Sequence, residues 1–264
     1  CGQITLGHAA FIAVGAYVSA IAMLQYGIGY PVSVLLAAVA AGLWSVLFGL
    51  PSARVKGFYL IMTTMAAQFI TVDFFITRYV SQIGGRGHYF SLPPGTITIG
   101  PWAVDSETKV YYLMVLLVTL CTLGMANLLR TRVGRAWIAI RDNDVAAEAM
   151  GVNIVWYKLL AFFVAGALGG VAGGFWISSL FFVSPEHFQW GWSLWIVGVI
   201  LIGGVGSLHG TVFGAMFITL LLEGLKFVVI PLSEVFPQLM EKFLNVKEAA
   251  FGLAIVLFLL YEPK

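Results

Sequence analysis

This sequence is short of charge. Of its 264 residues, 60% are hydrophobic and 10% are Asp, Glu, Lys or Arg, against about 25% charged in an ordinary soluble domain. A water-soluble fold of this length needs a charged surface, and there is too little charge here to cover one. Cysteine is nearly missing as well: Cys1 and Cys121 are too few for a disulfide framework and read as small apolar fillers. No lysine follows a glycine, so the Gly-Lys-Ser/Thr run that holds nucleotide phosphates is absent and the chain carries no P-loop ATPase. No Ser/His/Asp set, metal-ligand cluster or paired carboxylate stands out. Neither chemistry on a substrate nor a metal or cofactor in this chain is expected. The formal net charge of +2 bears on orientation, and no nucleic-acid partner is expected.

The missing charge is missing in blocks. Cys1–Ala53, Val110–Leu129, Leu159–Pro185 and His187–Leu222 contain no charged residue. A helix crosses the bilayer core in about 20 apolar residues, so the first and last blocks each hold two spans and the others one. With the stretch after Gly57 and the C-terminal end, eight spans are predicted: 4–24, 31–50, 57–77, 110–129, 159–183, 188–206, 208–230 and 249–261. The expected fold is all-α, a polytopic transmembrane helix bundle occupying 1–264 as a single transmembrane domain. The chain opens on Cys-Gly-Gln, without an initiator Met or a basic stretch before the apolar one. No signal peptide is read there, and the start is expected to lie inside a longer protein.

Orientation follows from Lys and Arg in the loops. Alternation of sides groups Arg54, Lys56, Arg130, Arg132, Arg135, Arg141, Lys158 and Lys264 against Arg78, Arg86, Lys109, Lys242 and Lys247, 8 to 5. The first face is predicted cytoplasmic, which turns the loops 79–109 and 231–248 outward. Two glycine series recur every four residues, Gly166, Gly170, Gly174 and Gly206, Gly210, Gly214. That spacing puts each series on one helix face and is read as close helix packing.

Residues 130–158, RTRVGRAWIAIRDNDVAAEAMGVNIVWYK, form the most polar stretch between two spans. Asp142, Asn143 and Asp144 can cap a helix start, and Gly151 can close a helix in a left-handed conformation. Short capped helices outside the membrane serve either as a docking surface or as an interfacial amphipathic helix lying on headgroups through Arg130, Arg132 and Arg135.

Within that stretch, GRAWIAIRDNDVAAEAMGVN resembles the cytoplasmic loop of the permease subunits of branched-chain amino acid ABC importers. GQITLGHAAFIAVGAY, GFYLIMTTMAAQFI, LIGGVGSLHGTVFGA and the terminal LLYEPK resemble further blocks of that family in order. The resemblance implies a pore-forming permease subunit of an ATP-driven importer in the bacterial cytoplasmic membrane. Its cytoplasmic loop would carry the coupling helix, with Glu148, Ala149 and Gly151 at the ATPase contact, Arg135 and Arg141 flanking it and Asp144 beside them. The implied partners are a related second permease subunit, two ATPase subunits holding ATP and Mg, an extracytoplasmic binding protein, and membrane lipid. The implied solutes are branched-chain amino acids, urea, amides or aromatic acids. In the outer loop the chain reads Gly84-Gly85-Arg86-Gly87-His88-Tyr89, where relatives show Gly-Gly-Ser-Asp/Asn-Gly.

Polar residues inside the spans are the candidate pathway: Gln3, Thr5 and His8 at the first, Thr63, Thr64 and Gln68 in the third, and Ser207 and His209 at a Gly-rich break. Broken helices expose backbone donors at membrane depth, which suits a carboxylate. Interhelical hydrogen bonding accounts for the same residues. The alternative to an ABC permease is a stand-alone secondary carrier or channel. Its ionisable groups would be Asp73 and the pair Glu223 and Lys226, which sit three apart on one helix face.

Overall fold

The computed structural model describes residues 2–3, 5–53, 57–83, 89–93, 96–99, 102–104, 106–235 and 243–261. Arg54, Lys56, Arg86, Lys242 and Lys264 of the orientation count, the run 84–88 and the last three residues of LLYEPK lie outside them. Most of the described residues are helical, and among them lie four two-residue strands. In chain order the helices are α1 (His8–Leu24), α2 (Tyr30–Ser52), α3 (Phe58–Phe69), α4 (Thr77–Tyr79), α5 (Glu107–Arg130), α6 (Arg132–Asp142), α7 (Asp144–Ala149), α8 (Ile154–Leu180), α9 (Trp190–Gly203), α10 (Leu208–Val235) and α11 (Phe243–Tyr261). Among the described residues, five stretches are long and apolar enough to cross a membrane: Tyr30–Ser52, Phe58–Tyr79, Glu107–Arg130, Ile154–Leu180 and Leu208–Phe227. The protein is a multi-pass, all-α membrane bundle.

Several predicted spans differ in extent: the fifth runs Ile154–Leu180 rather than 159–183 and the seventh continues to Val235, and three others differ with a clear local cause. The first begins as a helix only at His8. Gly2, with φ +65, and Gly7, which caps α1 without a side chain, favour an extended lead. The sixth is a 14-residue helix ending at Gly203, about 21 Å long, because Gly204 and Gly206 turn the chain with φ +90 and +91. The last begins at Phe243 and runs 19 residues. Lys247 and Glu248 bounded it by hydropathy, yet both are good helix formers and do not end a helix. The third span holds a feature without compositional mark: α3 runs into a π-helical stretch, Ile70–Ile76, before α4.

The chain divides into two compact units, Cys1–Ser193 and Leu194–Lys264. In the first, α1, α2 and α8 pack with their backbones nearly touching. Ala10, Ala13, Ala16 and Ala20 of α1 and Ala37 and Ala41 of α2 are fully buried. A Cβ on Gly170 would meet the Ala37 carbonyl, one on Gly166 the Ser45 hydroxyl and the Ala41 carbonyl, and one on Gly174 would come 3.0 Å from Val34 Cγ2. Ser45 Oγ donates to the Phe162 carbonyl at 2.6 Å and so ties α2 to α8. Beyond α8, strand β4 (Phe182–Val183) pairs antiparallel with β1 (Phe90–Ser91), while β2 (Thr98–Ile99) pairs with β3 (Trp102–Ala103). A 3₁₀ turn, Pro185–Phe188, then leads to α9. Of α5, only Leu113 is buried.

In the second unit Val199, Ile202, Ile218, Leu222 and Ala254 form the core, with Trp195 stacked on Phe251 at 5.6 Å. A Cβ on Gly214 would lie 2.7 Å from Gly203 Cα, and one on Gly210 would strike the Gly203 carbonyl. Gly206 stands apart from that face, in the turn that precedes α10.

Candidate functional site

Two constructions carry the candidate residues: the α6–α7 helix pair and a polar cluster at the start of α1. The pair is locally over-determined. Thr131 closes α5 and caps α6, its Oγ1 accepting from Val133 N at 3.2 Å. Gly134 fits the tight α5–α6 turn, where a Cβ would strike the Leu129 backbone. Gly134, Ala136, Trp137 and Ile140 are the buried face of α6, and Trp137 Nε1 donates to the Tyr157 carbonyl of α8 at 2.8 Å. That amphipathic face is used up inside the chain rather than left for headgroups, which removes the main physical reason for a membrane-surface helix.

Of the three candidate caps, Asn143 takes the role: its Oδ1 accepts from Ala146 N at 3.1 Å. Asp142 ends α6, pairs with Arg141 at 3.5 Å, and Asp144 opens α7, where its charge suits the helix N-terminus. Gly151, at φ +84, closes α7 with its N–H donating to the Glu148 carbonyl at 2.9 Å. A side chain there would be strained, which is the reason for glycine. Ala147 is the one buried residue of α7. Arg135, Arg141, Glu148, Ala149 and Gly151 are exposed, and so are the apolar side chains of Val145 (70%) and Met150 (85%). A six-residue helix capped at both ends, of mixed apolar and charged character, is therefore exposed on the first unit.

The second construction gathers α1, α3 and the start of α9. Thr5 Oγ1 and His8 Nε2 lie 2.9 Å apart. Leu6 N donates to Thr64 Oγ1 at 3.1 Å, Ala9 N to Ser193 Oγ at 3.0 Å and Ala10 N to Gln68 Oε1 at 2.6 Å. Gln68 Nε2 in turn donates to the Phe188 carbonyl at 2.6 Å. The broken start of α1 exists, but its amides at Ala9 and Ala10 are already engaged by side chains, which leaves fewer donors for an anionic solute than a bare helix end offers. Thr5, His8, Thr64 and Gln68 are brought together. Thr63 is not: it is half-buried and bonds back to Tyr59 of its own helix. Gln3 lies half-buried in the extended lead, whose Gly2 packs on Arg141, a Cβ there coming 2.8 Å from Arg141 Cγ. In the second unit, Ser207 caps α10 by accepting from Gly210 N at 3.0 Å, and His209 is exposed. Sequence reasoning passed over Ser193; a lone hydroxyl within Trp190-Gly191-Trp192-Ser193-Leu194 was the available signal.

A helical membrane bundle with such a projecting pair has known relatives. The family described as branched-chain amino acid transport system / permease component matches residues 1–259, and this chain belongs to it. The high-affinity branched-chain amino acid transport system permease proteins LivM of Salmonella typhimurium and Escherichia coli are each 26% identical to it over 284 residues, covering 100% of this chain and 63% of their own length. The chain thus spans under two thirds of these relatives. The ribose import permease protein RbsC of Bacillus subtilis is 29% identical over 155 residues, covering 57% of this chain and 42% of its own length. No solved structure matches the chain.

Proposed function

We propose that the chain is the pore-forming permease subunit of an ATP-driven importer for branched-chain amino acids or related small polar nutrients. Two separate ATPase subunits, holding ATP and Mg, would drive it; a related second permease subunit would complete the pore; and an extracytoplasmic binding protein would deliver the solute. The setting is the bacterial cytoplasmic membrane, with residues 130–158 as the coupling loop on the inner side and 79–109 and 231–248 on the outer. The single observation that carries the reading is the capped α7 knob. Its neighbour α6 is anchored to α8 by Trp137, while Val145, Glu148, Ala149 and Met150 remain exposed. Apolar side chains on a rigid protrusion are what an interface core needs, and a rigid anchor passes a push on α7 into α8. Alternating access follows when the ATPases close, push on α7 and rock the two permease subunits against each other.

The test is copurification. Glu148→Arg is expected to weaken retention of the ATPase subunits at least tenfold and to abolish ATP-dependent uptake, while the variant stays in the membrane at normal abundance. Unchanged ATPase retention and uptake would remove the coupling assignment.

A further inference from the structure

The turn between α8 and α9 encloses two polar atoms that the fold leaves unmatched. Trp176 Nε1 and His187 Nδ1 are both buried, and neither has a hydrogen-bond partner among the described residues. Buried polar groups in native proteins are almost always paired, so an unpaired one calls for an explanation. Here two occur on neighbouring rings, whose centroids are 5.8 Å apart. Phe188 and Trp192 flank Trp176 at 5.7 and 5.3 Å, and Phe182 packs on His187 at 5.8 Å. The same 3₁₀ turn carries Glu186, which is exposed and bonded to the Ser184 hydroxyl. Phe188 also serves the α1 cluster, through its backbone carbonyl.

We propose that this aromatic corner is a binding site for a zwitterionic α-amino acid with an apolar side chain, on its way through the permease. The proposal rests on the permease reading above and adds to it where the solute is held. An indole N–H can only donate, and a histidine with its proton on Nδ1 donates as well. In that tautomer the two neighbouring rings each offer a donor, which suits an acceptor-only group, and a carboxylate is one. The Glu186 carboxylate supplies the opposite charge for the ammonium, and the rings offer an apolar wall to the side chain. A simple cation finds no acceptor at the indole. A single water satisfies the same two nitrogens, and that is the outcome the experiment has to separate.

The chain is assembled with candidate ATPase and second permease subunits in lipid nanodiscs, and binding of radiolabelled L-leucine is measured without nucleotide. Trp176→Phe keeps the ring and removes the N–H; His187→Phe removes the second donor. Each is expected to weaken leucine binding about tenfold or more, since each deletes a hydrogen bond to a charged group, with copurification reporting that the variant assembles. On the unmodified complex, leucinamide, which lacks the carboxylate, and 4-methylpentanoate, which lacks the ammonium, are expected to compete at least about tenfold less well than leucine. This second comparison needs no variant to fold. Equal binding by the unmodified complex and assembled Trp176→Phe overturns the site, as does equal competition by leucinamide. So does a complex that takes up leucine without binding it here, the water-only case. In each of these the permease reading stands if the same preparation shows ATP-dependent uptake. An unmodified chain that neither retains ATPase nor supports uptake overturns that reading instead.

Discussion

Gln68 joins α3, α1 and the turn before α9 through one side chain. It accepts from Ala10 N and donates to the Phe188 carbonyl, both at 2.6 Å, and is 1% exposed. Removing it leaves a buried donor and a buried acceptor unmatched, each costing roughly 1–3 kcal/mol. Gln68→Leu is therefore expected to destabilise the purified protein by about 2–4 kcal/mol in an unfolding titration, whereas Thr63→Val, whose hydroxyl bonds only its own helix, should change stability by less than about 0.5 kcal/mol. An equal effect of the two would mean the cluster holds nothing. The glycines offer a sharper contrast. Gly170→Ala drives a methyl into the Ala37 carbonyl, while Gly124→Ala meets nothing within 4 Å. The first should lower the melting temperature by several degrees. The second should leave it unchanged or raise it, since Gly inside a helix costs roughly 0.5–1 kcal/mol relative to Ala. At this scale the sequence showed which spans held polar residues but not which met. Thr64 and Gln68 face α1 and Thr63 does not, and Ser193 supplied a partner from within the Trp-rich segment Trp190-Gly191-Trp192-Ser193.

The α6–α7 pair was legible as an element because its ends are chemical. Asn143 and Gly151 have jobs that few other residues perform, so the bounds of α7 follow from them. The start of α1 was not legible, because hydropathy continues through Leu6 and Gly7 while the helix does not. Apolarity marks what sits in the membrane, not what is coiled there. The π stretch Ile70–Ile76 was equally silent; it is held by tertiary partners such as Trp44 Nε1, which donates to Thr71 Oγ1 at 2.9 Å, and by nothing in its composition. The caps make a prediction at the scale of the helix. Asn143→Ala should cost about 1 kcal/mol, felt mainly within α7. Hydrogen exchange of amides 145–150 should speed by roughly fivefold while the amides of α8 stay protected. Acceleration spread evenly over α6, α7 and α8 would show that the pair lacks independent rigidity, and a push on α7 would then have nothing stiff to act on.

A driven permease and a carrier that runs alone differ in whole-molecule energetics. A carrier coupled to protons or sodium needs an ionisable group that changes state inside the membrane. Within the apolar stretch of α10, Leu208–Phe227, the charged groups are Glu223 and Lys226, their side chains paired at 2.6 Å and each about half exposed. A pair of this kind contributes little net stability, about 0–1 kcal/mol, and it already neutralises itself without a transported ion. Asp73, in the π stretch, is exposed. Glu223→Gln and Asp73→Asn are accordingly expected to retain ATP-dependent uptake within about twofold in vesicles carrying the complete importer, and an uncoupler added at fixed internal ATP should leave the rate unchanged. Uptake by the chain without ATPase subunits, abolished by the uncoupler and by Glu223→Gln, would reverse the assignment. The drive would then come from an ion bound in α10, and the exposed knob at Val145–Met150 would need another explanation. The two schemes differ in where free energy enters the same bundle: through a protrusion beside α8 or through a charge in the second unit. Exposed apolar side chains on the first and a self-neutralised pair on the second favour the protrusion.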